Sequence, residues 1–412
     1  MPNIPSRRAL RAVALVSSAI VLAACAAPAP HSPASPSASA IGHGLGSSGG
    51  AEVSAAALAL VVAEADGALI VLDLASEKRT DLGHGYDPLH SVSSDGRHVY
   101  LAHGTEARTT VTIVDSGRWT VPHGGHSHSF LGQPRVVGTV EGQGTPNVHV
   151  GDLATLVRFE SDETFLLEHE ALAEPFDTPD PLPLTAQSGA EPSDPAVPFA
   201  DHLLLATSAT TIEVRDLESV QTAKDAVPCE RGTDVEVTVV GAVFACADGA
   251  VLFTREVGGA IAAEVIPYPA DATPATQLAG RSGRPDLAGV AGERGAWLLD
   301  VRERQWTWLS SDVPLVLAVA IGDDDNRTIA VDVEGRVRIL DADGAVLVRT
   351  DPLVAASVAD AALRDRVQLI VDAQHVYLSD PANRAVHEID HGDGQVTRSF
   401  TDVDPWSIQQ VG

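Results

Sequence analysis

Three imidazoles fall within six residues in the segment Pro122-His123-Gly124-Gly125-His126-Ser127-His128. Neutral imidazole nitrogen is a common zinc ligand, and histidines two apart on an extended segment project to the same side, so His126 and His128 can reach one ion. A third donor has to come from elsewhere, with His123 or His149 as the nearest choices. Glycine-flanked histidines in loops are also often merely solvated, and the spacing by itself leaves both readings open.

The elements that would position these residues are strands. Paired apolar runs separated by Asp-Gly or similar turns recur eight times, starting near residues 57, 95, 155, 202, 243, 287, 328 and 368. A period of about 40 to 60 residues is that of a propeller blade. The expectation is an all-β chain folded as a β-propeller of eight blades, or seven if the first and last segments complete one blade together. The C-terminal run from Trp406 would then supply a closing strand. Asp73, Asp115, Asp300 and Asp341 end the second strand of their units and are read as turn residues whose carboxylates take backbone N–H groups. Asp323-Asp324-Asp325-Asn326 lacks the alternating ligands of a calcium loop and is also read as a turn.

Loops from successive blades meet at the mouth of a propeller's channel, so residues remote in sequence can share one ion. The further candidate ligands are His149, Asp152 and His169, with Asp201-His202, Asp234 and Glu236 on the next blades. The histidine segment occupies an unusually long gap between the second and third units. A second long gap, 175–198, is rich in Pro, Asp, Glu and Ser and reads as an unordered surface loop.

The N-terminus has the form of a bacterial lipoprotein leader. Arg7, Arg8 and Arg11 precede an apolar run over 12–24 that is too short to span a bilayer and ends in Leu22-Ala23-Ala24-Cys25. Residues 1–24 are therefore expected to be removed and Cys25 lipidated. Residues 25–52, made largely of Ala, Pro, Ser and Gly, read as a disordered tether, and 53–412 as the propeller domain. Cys229 and Cys246 remain as an even pair, expected to form a disulfide in an oxidising, extracytoplasmic compartment. Losing the three arginines with the leader takes the net charge from −29 to −32. Such a chain repels nucleic acid, and its contact with the membrane is expected through the lipid anchor only.

The chain resembles the periplasmic zinc metallochaperones of bacterial zinc ABC-transport systems, the AztD type, as a divergent member. The resemblance rests on the histidine-glycine segment after Asp115-Ser116-Gly117-Arg118-Trp119, on Pro146-Asn147-Val148-His149, and on Cys229 to Cys246 running into Ala247-Asp248-Gly249. It implies zinc held by histidines and acidic side chains and delivered to the transporter's solute-binding protein. Three positions depart from the pattern. Glu230-Arg231-Gly232-Thr233-Asp234 lacks a histidine, Asp201-His202 stands where a histidine pair is expected, and Ser129-Phe130 replaces an aromatic pair. No nucleophile elbow or phosphate loop is present, so catalysis is not expected. The competing reading is a metal-independent propeller lipoprotein that binds other proteins at the cell envelope.

Overall fold

The central strands of each sheet are apolar on both faces, because neighbouring sheets cover both. Ala59–Glu64, Ala154–Arg158, His202–Thr207, Ala242–Cys246 and Thr328–Asp332 are buried almost along their whole length. Removing a Val, Leu or Ile side chain from water stabilises the fold by about 1.5–3 kcal/mol, so these strands carry the core. The computed structural model describes residues 49–123, 126–176, 178–182, 191–207, 210–217, 223–275 and 277–412, with the side chains of 123, 223 and 224 outside that set. The leader, Cys25 and the tether to residue 48 also lie outside it. No helix among the described residues is long and apolar enough to cross a membrane.

Among the described residues the sheets are antiparallel, and eight of the nine follow one another along the chain as propeller blades. The first is closed by the chain's end: Pro405–Val411 pairs with Ala59–Glu64, followed outward by Leu69–Asp73 and Arg79–Asp81. The first and last segments thus share a blade, and the count remains eight. Blade two runs outward from Leu89–Ser94 through His98–Thr105 and Arg108–Asp115 to Arg135–Gly142. Blade five begins at Asp234–Val237, blade seven at Leu315–Ala320 and blade eight at Leu369–Val371. Among the described residues blade three has three strands, Asn147–Val150, Ala154–Arg158 and Thr164–Glu168. Blade six begins with a bridge from Ala279 to Ala288 rather than a full inner strand.

The repeating strand pairs legible in the sequence are the second and third strands of each blade. Some inner strands are only half-buried, as Leu89–Ser94 and Asp234–Val237 show, so no hydrophobic run marks those two. The aspartates that end those pairs consequently lead into the fourth strand. Asp73 accepts the Ser76 N–H at 2.7 Å, Asp300 those of Arg302 and Glu303 at 3.0 and 2.9 Å, and Asp341 those of Asp343 and Ala345 at 3.0 and 2.8 Å. Asp323 likewise accepts the Arg327 N–H at 3.0 Å, as a turn residue does. Cys229 and Cys246 form the expected disulfide, which ties the end of blade four to the second strand of blade five.

Candidate metal centre

Between the third and fourth strands of blade two the chain leaves the sheet as a hairpin, and this insertion accounts for the long gap in the repeat. Its arms are Arg118–His123 and His126–Leu131, so the histidine segment is strand rather than loop. In its register Trp119 faces Phe130, Val121 faces His128 and His123 faces His126. The period of two then puts 126, 128 and 130 on one side of the arm. A third strand, Ala51–Val53, pairs outside the second arm, with Glu52 opposite Phe130. Ala51 and Glu52, at the end of the segment expected to be a tether, therefore belong to this small sheet.

The base of the hairpin is fixed to the propeller. Trp119 and Phe130 stack with centroids 5.1 Å apart and planes at 13°. The Arg97 guanidinium lies 3.9 Å above the Trp119 ring while donating to Asp115 at 2.8 Å, and Arg118 reaches Asp73 of blade one at 2.8 Å. A Cβ at Gly50 would stand 2.4 Å from the indole, so only glycine lets the N-terminal strand pass that close.

The outer end presents imidazoles. The Nε2 atoms of His126 and His128 are 3.0 Å apart, and His128 Nδ1 is 2.6 Å from a Glu52 carboxylate oxygen. With Nδ1–H donated to Glu52, His128 is held in the tautomer whose Nε2 lone pair faces His126. The 3.0 Å contact is then a hydrogen bond from His126 Nε2–H, and because two nitrogens on one tetrahedral zinc are about 3.3 Å apart, from Zn–N distances of about 2.05 Å, chelation needs the His126 proton to move to Nδ1 and both lone pairs to turn to one point. Glu52 carries no sequence signal. It is a lone carboxylate beyond an Ala/Gly/Ser-rich run, and only strand pairing brings it to His128.

The other candidates have different surroundings. His149, on the inner strand of blade three, lines a channel cavity of about 510 Å³ with Glu236 and Asp234, and none of the hairpin histidines borders that cavity. Its buried Nε2 has no hydrogen-bond partner, and burial followed by the charge of Arg158 pushes its pKa down to about 3. Burial, with Asp234 beside it, pushes Glu236 up to about 8. His169 shares 3.0 Å with Thr155 Oγ1 and lies 3.6 Å from Asp95, and Asp152 accepts the Ala200 N–H at 3.2 Å. His202 is engaged at both ring nitrogens, by the Ala200 carbonyl at 2.8 Å and Asp216 at 3.2 Å. Among the described residues no group of three His, Cys, Asp or Glu side chains is placed to hold an ion. His126 and His128 are the two candidate ligands whose ring nitrogens the structure brings together.

Asp95 is structural. It accepts from the His98 ring at 2.9 Å, the His98 N–H at 2.6 Å and the Tyr100 hydroxyl at 3.0 Å. The same Asp-x-x-His-x-Tyr spacing recurs in blade eight, where Asp372 accepts from the His375 N–H at 2.6 Å and the Tyr377 hydroxyl at 3.1 Å.

No family model matches the chain, and no curated protein does. Solved structures do. A crystal structure of AztD from Citrobacter koseri superposes with a TM-score of 0.71 at 18% identity, covering 87% of this chain and 98% of that one. The apo form of the same protein gives 0.70 at 17% identity, with the same coverage. The dihydro-heme d1 dehydrogenase NirN gives 0.54 at 15% identity, covering 86% of this chain and 75% of that one. At these identities the likeness is one of fold, and the chain is a β-propeller built like AztD.

Proposed function

We propose that the protein captures zinc outside the cytoplasm on the blade-two hairpin and hands it to the solute-binding protein of a zinc ABC transporter, without catalysis. The observation that carries this reading is the facing pair of Nε2 atoms on His126 and His128, with Glu52 holding His128 from behind. A carrier must release its cargo. Two histidines near the surface, completed by His123 or a similar donor, leave a coordination position that a partner's ligand can enter. Anchoring through Cys25 would keep the domain at the membrane where the transporter works, and the acidic surface raises the local cation concentration. The fold shared with AztD is consistent with this role.

The test is zinc affinity of the mature domain, measured against a competing chelator, in the wild type and in a His126→Ala/His128→Ala double variant. Loss of affinity by orders of magnitude is expected. Unchanged stoichiometry and affinity would sink the assignment and favour a metal-independent interaction module.

A further inference from the structure

The channel opens, on the side that carries the turns between inner and second strands, into a cavity of about 480 Å³, within the range of ordinary small-molecule sites. Its wall draws on the inner strands of several blades, and five residues, including Glu236 and Gln409, also border the 510 Å³ cavity that holds His149. The site is distinct from the hairpin and does not rest on zinc binding.

Its charges are unevenly satisfied. Asp95 is taken up by His98 and Tyr100, and Asp152 by the Ala200 N–H. Nearby Asp323 is held by Arg327 at 2.6 Å, and Asp372 by Tyr377 at 3.1 Å. Arg284, the second cation at the mouth, donates to the Gly322 carbonyl at 2.5 Å. Arg281 lines the cavity half-buried, and among the described residues its side chain makes no hydrogen bond or ion pair. Burial and the neighbouring Arg284 both disfavour its charge, which Asp372 and Asp323 offset only through space. A guanidinium that lines a cavity without a fixed partner offers its fork to an anion.

We propose that this mouth is a binding site for a small organic carboxylate, with the carboxylate seated on Arg281 and Gln409 and Gln410 in the surrounding wall. The two amides donate to opposite neighbours, Gln409 to the Val92 carbonyl at 3.1 Å and Gln410 to Asp372 at 3.4 Å. A singly charged carboxylate suits the site better than phosphate. Asp95 and Asp152 in the wall oppose a second negative charge, while one guanidinium matches one carboxylate in a bidentate pair.

Calorimetric titration of the purified domain with lactate, alanine and inorganic phosphate tests this. Saturable binding of lactate or alanine at one site per chain is expected. Binding of lactate alone identifies a hydroxy acid, and binding of alanine alone identifies an amino acid. Arg281→Gln should weaken that binding at least about tenfold and Arg281→Lys less, as loss of a charge-assisted bidentate pair predicts. Both variants should retain the wild-type melting temperature and zinc affinity. Absence of binding by either organic probe, preference for phosphate, or equal affinity in Arg281→Gln would overturn the proposal.

Discussion

His128 and Glu52 lie 76 positions apart in the chain and meet at 2.6 Å, because a three-residue strand pairs with one arm of an inserted hairpin. Metal-binding histidines are commonly oriented by a carboxylate on the nitrogen away from the metal, and loss of such a partner weakens binding by roughly 10–100-fold. Glu52→Gln should therefore weaken zinc binding by about that factor, as read by chelator competition. The two histidines would remain in place, so stoichiometry should be unchanged.

A parallel prediction needs no change at the metal. In Gly50→Ala the new methyl collides with the Trp119 ring, against which a Cβ would stand at 2.4 Å. Moving the indole would break its stack on Phe130, so the N-terminal strand should shift and take Glu52 with it. Zinc affinity should fall in the direction seen for Glu52→Gln, and combining the two substitutions should add little.

Asp95 tests the structural side of the histidine chemistry. Burial pushes its pKa up, but the bonds and charges of His98 and His169 outweigh that and bring it down to about 2. Because the folded pKa lies below the ordinary 3.8, its contribution is full above about pH 4 and is lost as pH falls through 2. Asp95→Ala should cost about 1–3 kcal/mol at pH 7, the scale for leaving buried hydrogen-bond partners unsatisfied, and that cost should shrink as pH falls below 4. Denaturant unfolding at several pH values checks this.

Glu236 has the opposite sign. Its folded pKa is raised from 4.5 to about 8, so the folded state holds a proton that the unfolded chain releases. Stability should therefore decline as pH rises from about 4.5 to 8, and Glu236→Gln should flatten that part of the profile. A melting curve in the variant with the wild-type slope would show that Glu236 is not the group responsible.

Reduction of the bond between Cys229 and Cys246 opens a loop with a sequence separation of 17. Loops of that size are worth about 3 kcal/mol, so treatment with a thiol should lower the melting temperature without changing zinc stoichiometry.

The propeller is legible in the chain through the apolar second and third strands that bury both faces and repeat at blade spacing. The sequence also marked His126 and His128, because alternation along any extended segment puts i and i+2 together. Half-buried inner strands such as Leu89–Ser94 and Asp234–Val237 escaped it, since a strand facing an open channel needs no hydrophobic pattern. Only the tertiary structure turned the histidine segment into a hairpin arm and brought Glu52 to it. It also separated His149, Asp152 and His169, three residues of ligand type, into a channel wall, a backbone contact and a buried polar cluster. Donor type and local spacing are written in the chain, whereas the neighbours that a side chain meets depend on strand pairing between segments that the sequence leaves far apart.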